Sequence, residues 1–143
     1  MKLDVVIPAA PARVVTGRAL HLIEPISFWG GVSAVDGTLI DPRCSQRGVS
    51  ISGRVLLIRE LKGSSSGSSV LLELVYRGLA PSAIVLSEPD AILSLGALVA
   101  REMNWATPGI FRLPVALQLA IPQDRPLSIE PNGQITGLVQ HGP

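Results

Sequence analysis

Between residues 49 and 113 the chain passes twice from a short apolar run to a helix-spaced segment and back to an apolar run. This alternation limits the possible folds more than any other feature. Residues 49–57 end in Val55, Leu56 and Leu57, three apolar side chains in a row, so the strand they imply is buried on both faces. Val70, Leu71, Leu74, Val75 and Gly78 follow at helical spacing, and Gly78 suits the position just past a helix end. Residues 83–86 read as a second strand. After the turn Ser87-Glu88-Pro89, Asp90 reads as the N-cap of a second helix running to about Met103, with Ile92, Leu95, Val99 and Met103 as its buried stripe. Residues 109–113 are a third strand. Two strand–helix–strand units in succession imply a parallel sheet.

The two ends of the chain add β-structure around this unit. Residues 13–16 and 19–23 read as strands, and Phe28-Trp29-Gly30-Gly31 breaks the pattern. A short strand at 38–40 follows the hairpin dipeptide Asp36-Gly37, and 41–48 is a loop. Residues 126–130 and 134–139, joined by Pro131-Asn132-Gly133, read as a hairpin. Residues 1–12, rich in proline and alanine, read as a flexible arm, leaving 13–143 as one domain. The expected fold class is α/β: a central parallel-rich sheet, two main helices and a β-rich surround. No internal repeat is visible.

Composition narrows the function. Hydrophobic residues make up 47% of the 143 residues and mean hydropathy is +0.42, whereas charged residues are 16%. Globular proteins average roughly 25% charged. A membrane span would need about 18 apolar residues free of Pro, Gly and charge, and no such window exists. An apolar surface covered by a partner accounts for the excess, since the interfaces of obligate complexes resemble a domain core cut in half. The same surface would let the isolated chain form a homo-oligomer. Net charge is +1 and aromatics are 3%, with no basic stripe, which argues against nucleic acid. The N-terminal residues lack the basic segment and long apolar stretch of a secretory signal. The single cysteine, Cys44, forms no internal disulfide and fits a reducing cytoplasm. With two histidines, His21 and His141, it makes too sparse a set for a metal site within this chain.

The segment Lys62-Gly63-Ser64-Ser65-Ser66-Gly67-Ser68-Ser69 joins the buried strand to the first helix. Unpaired N–H groups and the helix dipole place partial positive charge at that point, where a phosphate or carboxylate can sit. Glycines let the backbone approach closely, and a serine there can serve as a base if its alkoxide is stabilised. A Gly/Ser run is also an ordinary loop whose last serine caps the helix. It is not a nucleotide phosphate loop, because Lys62 precedes the glycine instead of following it.

ISFWGGVSAVDGTLID (26–41), GVSISGRVLLI (48–58), KGSSSGSSVLLEL (62–74), GLAPSAIVL (78–86) and ILSLGALVAREM (92–103) together resemble the small subunit, or swivelling domain, of the aconitase X group. The likeness runs from about residue 14 to residue 140. It implies an aconitase-like swivelling β/β/α domain docked on a large aconitase X-type subunit. That partner would hold an iron or iron–sulfur centre and most contacts to a small hydroxy-acid substrate. The group includes bacterial cis-3-hydroxy-L-proline dehydratases and archaeal phosphomevalonate dehydratases. In the wider superfamily a serine just after a glycine of this domain is the base, which maps to Ser64 after Gly63, with Ser65 the adjacent candidate. An arginine stands two residues after that serine in the wider superfamily, but here the position is Ser66.

The resemblance points to a hydro-lyase, with cis-3-hydroxy-L-proline ahead of mevalonate 5-phosphate because the loop offers only Lys62 as a cation. Gly63, Ser66, Lys62 and Arg43 are the candidate substrate contacts. From a different class stands a non-catalytic module whose loop holds an anion. Asp36 and Asp41 read as turn residues, Cys44 as incidental, and His21 as a packed or surface side chain. Arg43 and Arg47 either meet a substrate carboxylate or are solvated. The Phe28–Gly31 segment is either a tight turn on a buried aromatic or a close approach to the site.

Overall fold

The computed structural model of the chain describes residues 1–63 and 65–136. Its sheet has six strands in the order β1-β5-β4-β3-β2-β6. β2 (Val15–Leu22), β3 (Val55–Ile58), β4 (Ala83–Leu86) and β5 (Gly109–Arg112) run parallel at its centre, as the twofold strand–helix–strand pattern requires. β1 (Asp4–Ile7) and β6 (Pro126–Ile129) close the two edges antiparallel. α2 (Gly67–Tyr76) links β3 to β4, and α3 (Ala91–Glu102) links β4 to β5. Both crossovers step the same way along the sheet, so right-handed connections put both helices on one face.

Strand alternation then divides the core. Leu56, Ile58, Ile84 and Leu86 face the helices with Leu71, Leu74, Leu93, Ala97 and Ala100. Val55, Leu57, Ala83 and Val85 face the other way, against Leu3, Val15, Phe111, Leu113, Ile121 and Leu127. All four residues of β3 are buried, which explains the uninterrupted apolar run.

Five expectations are corrected. The flexible arm of residues 1–12 instead contains β1, whose Asp4 and Val5 pair with Arg112 and Phe111 while Leu3 is 1% exposed. Its prolines fall after the strand, so they remove no ladder hydrogen bond. The two strands foreseen at 13–23 are one continuous strand, β2. The strand expected over 49–57 starts only at Val55, because Gly53 adopts φ +68° in a preceding turn. Residues 38–40 make isolated bridges, Thr38 to Ser50 and Leu39 to Val32. The fifth correction is the phase of α3. Leu95, Val99 and Met103 are 56%, 40% and 55% exposed, while Leu93, Gly96, Ala97 and Ala100 are buried. Gly96 explains this: a Cβ there would lie 2.9 Å from the Ser68 carbonyl oxygen, so α2 and α3 approach through small residues. The large side chains are left on the outer face.

Helix ends follow the reading more closely. Asp90 accepts the Leu93 N–H at 2.9 Å and caps α3. Gly78 at φ +72° ends α2, with the Gly78 and Leu79 N–H groups donating to the Val75 and Leu74 carbonyls at 3.1 and 2.8 Å. α1 (Phe28–Gly31) is a short irregular turn, and α4 (Val115–Gln118) is a single turn that the sequence pattern did not signal. At the C-terminal hairpin Glu130 N–H donates to the Gln134 carbonyl at 2.9 Å, and Ile129 bridges Ile135. The rest of that predicted strand, 137–139, lies outside the described residues, as does His141. Among the described residues no helix is long and apolar enough to cross a membrane.

Candidate active site

The serine loop emerges at the carboxyl edge of the parallel strands, where helix N-termini also converge. Its first limb is stitched to the segment after β2: Ile26 N–H donates to the Glu60 carbonyl at 3.2 Å and Lys62 N–H to the Ile26 carbonyl at 2.7 Å. This places Lys62 and Gly63 beside Ser27 and Phe28, in a hollow also lined by Gly67, Asp90, Ile92 and Leu93. Phe28, 1% exposed, anchors the turn beneath α2, while Trp29 is 60% exposed. The two readings of the Phe28–Gly31 turn therefore coincide: it is a tight turn on a buried aromatic, and it walls the loop's hollow.

Ser64 lies outside the described residues. Ser66 is the N-cap of α2, which has no acidic residue in its first turn. Ser68 and Ser69 turn their hydroxyls back onto the loop, donating to the Ser65 and Ser66 carbonyls at 3.0 and 2.8 Å. Those two serines therefore serve local structure. Ser65 is exposed, and its hydroxyl makes no hydrogen bond among the described residues. Gly63 is exposed too, and among the described residues nothing beyond its chain neighbours lies within 4 Å of where a Cβ would stand, so their packing does not require a glycine there.

Arg43 and Lys62 reach one neighbourhood through Asp41. The Asp41 carboxylate accepts from the Arg43 backbone N–H at 2.9 Å and from its guanidinium Nε and Nη2 at 3.2 Å. The Arg43 side chain, with its backbone N–H, holds the Asp41 carboxyl below the usual carboxylate range, and Lys62 adds a smaller attraction. Arg43 is thus partly engaged, although its side chain is 75% exposed. Asp36 caps its own turn through Thr38, at 3.0 Å to the N–H and 2.7 Å from the hydroxyl. Cys44 packs in the helix-side core, and His21 is held by the Ile121 carbonyl at 2.6 Å from Nε2. No group of three or more His, Cys, Asp or Glu side chains gathers as a metal site among the described residues.

Arg59, which the sequence pattern does not single out, follows β3 directly at the carboxyl edge where ligands gather in open α/β sheets.

The fold has clear counterparts. Residues 7–137 match the family described as the aconitase X swivel domain, and the chain belongs to that family. It is 48% identical over 88 residues to a cis-3-hydroxy-L-proline dehydratase of Pseudomonas aeruginosa, covering 62% of this chain but only 15% of that longer protein. It is 32% identical over 123 residues to the phosphomevalonate dehydratase small subunit of Pyrococcus horikoshii, covering 85% of this chain and 92% of the relative. A crystal structure of Thermococcus kodakaraensis aconitase X superposes with TM-score 0.79 at 24% identity, covering 97% of this chain and 99% of the matched chain.

Proposed function

We propose that this chain is the small subunit of a two-subunit aconitase X-type hydro-lyase, and that the pair dehydrates cis-3-hydroxy-L-proline. The observation that carries this reading is the serine loop: an unacidic helix N-terminus preceded by exposed Gly63 and Ser65. The 48% identity to the hydroxyproline enzyme supports the choice of substrate. The apolar outer side of α3 supports a large partner, since Leu95, Leu98, Val99 and Met103 stay exposed when the chain is alone.

In this reading a loop serine, Ser64 with Ser65 as the adjacent candidate, removes the proton from the carbon next to the hydroxyl-bearing carbon. A serine is a poor base unless its alkoxide is stabilised. The α2 N-terminus and Lys62 supply positive potential for that purpose. Gly63 and Ser66 shape the backbone around the substrate, and Arg43 stands behind Asp41 as a further cation. An iron or iron–sulfur centre held by the large subunit would act as a Lewis acid on the departing hydroxyl. Loss of water leaves an enamine, which tautomerises to the cyclic imine. A chain of this kind works in the cytoplasm.

Mevalonate 5-phosphate is the second reading, favoured by the match of nearly full length to a phosphomevalonate dehydratase small subunit. The deciding experiment is co-expression with the large-subunit gene and anaerobic assay on both substrates, with Ser64→Ala and Ser65→Ala alongside. Turnover of hydroxyproline that falls by about 10³-fold or more in one serine variant is the expected result. Turnover of mevalonate 5-phosphate alone would replace the substrate. No turnover on either, with anion binding weakened by the serine variants, would favour the non-catalytic module.

A further inference from the structure

We infer that Arg59 takes the carboxylate of the substrate, in a hollow that extends the serine site along the carboxyl edge of β3 and β4. The inference rests on the hydroxyproline reading above. The hollow measures about 340 Å³ and is lined by Arg59, Glu60, Ser87, Glu88 and Asp90, with Leu61 and the strand ends as its floor. Leu61 and Asp90 also line the hollow of Lys62 and Gly63, so the two spaces adjoin.

Arg59 is prepared for a ligand. Its backbone is pinned by the Ser87 hydroxyl, which donates to the Arg59 carbonyl at 2.8 Å and ties the ends of β3 and β4 together. Its Nε is buried with no hydrogen-bond partner. Native structures leave few buried donors unpaired, and a guanidinium N–H is among the costliest to abandon. Glu24 lies within reach of the Arg59 charge, but it is held mainly by the Ser45 hydroxyl and Ser45 N–H, at 3.1 and 3.0 Å. Among the other cations near the loop, Arg43 is already bonded to Asp41 and Lys62 is a single point charge. Arg59 offers a planar fork that matches a carboxylate, and its Nε has no hydrogen-bond partner among the described residues.

The rest of the lining selects the kind of carboxylate. Glu60 and Glu88 are exposed in the same hollow, whereas Asp90 is occupied by the α3 N-terminus. One guanidinium among acidic side chains suits a zwitterion: the arginine meets the carboxylate and a glutamate meets the ring ammonium. A substrate carrying both a carboxylate and a phosphate would meet repulsion from those glutamates.

The test uses the reconstituted pair, with Arg59→Gln and Arg59→Lys in this chain and a thermal melt to confirm that both variants fold. For cis-3-hydroxy-L-proline, Arg59→Gln should raise KM by about tenfold or more while kcat changes far less, and Arg59→Lys should recover part of the loss. Unchanged KM in a pair that turns over would overturn the Arg59 assignment and leave the enzyme reading standing. If the wild-type pair does not turn over this substrate, calorimetric binding of cis-3-hydroxy-L-proline to the pair decides. Binding weakened in Arg59→Gln keeps the site and removes the activity, whereas absent or unaltered binding removes the site.

Discussion

The two long helices begin side by side and begin differently. α3 closes its own N-terminus: Asp90 accepts the Leu93 N–H at 2.9 Å, so a carboxylate from the chain already occupies that positive end. α2 begins with Ser66 and has no acidic residue in its first turn, after a loop in which Gly63 is exposed. One end is closed by a carboxylate of the chain, and in the function proposed above the other end receives a ligand. Both helices have the same dipole, so the difference between them lies in what the preceding loop supplies.

Converting one end into the other should break the comparison. Ser66→Asp would give α2 the closure that α3 has. Turnover by the reconstituted pair should fall by roughly 100-fold, since one well-placed electrostatic contact carries that much of a transition state. Thermal stability should rise slightly, because Asp and Ser cap about equally well and the added charge favours the dipole. A variant with full turnover would show that the open end of α2 is not used.

Next in size is the contact that holds the two helices together. Gly96→Val would drive a side chain into the Ser68 backbone, where even a Cβ lies 2.9 Å from the carbonyl oxygen. A loss of about 1–3 kcal/mol is expected in a denaturant melt. A neutral result would mean that α3 slides without cost.

Asp90→Ala removes the cap of α3 and should cost about 1 kcal/mol, read by the same melt. Asp90→Asn should keep most of that stability, because an amide oxygen also accepts the Leu93 N–H. Smaller still is the double change Leu95→Ser and Val99→Thr on the outer face of α3. The isolated chain should stay within about 0.5 kcal/mol of its starting stability. Affinity for the large subunit should drop in the same variant, and an unaltered affinity would move the docking face elsewhere.

The smallest effect concerns pH. The Asp41 carboxyl is held below its ordinary value of 3.8, chiefly by the Arg43 side chain. Its contribution is therefore complete above that value and is lost as pH falls through the lower folded-state value. Amide exchange or chemical shifts of Arg43 and Cys44 should change only in that acid range, and Asp41→Asn should remove the dependence.

The Gly/Ser run between a buried strand and a helix marked Lys62, Gly63, Ser65 and Ser66 as candidates by local pattern, and the structure sets Lys62 and Gly63 in a hollow with Gly67 and Asp90. Arg43 is bonded to Asp41, a carboxylate on which Lys62 also acts, and no spacing rule reveals that relation. Arg59 was overlooked because one charged residue after a strand carries no pattern of its own. It becomes conspicuous only when its Nε is found buried without a partner.

By itself, the sequence determined the central elements and their order from β3 to β5: apolar runs too short for anything but strands, helices with a capping Asp90 and a terminating Gly78, and hence a parallel centre. Those are local properties, set by side-chain period and backbone φ. Tertiary structure alone decided which face of α3 turns inward, and it drew residues 4–7 onto the edge of β5. Both outcomes depend on how closely a neighbour approaches. Gly96 wins the inner face because two helix backbones meet there, although Leu95 and Val99 are more hydrophobic.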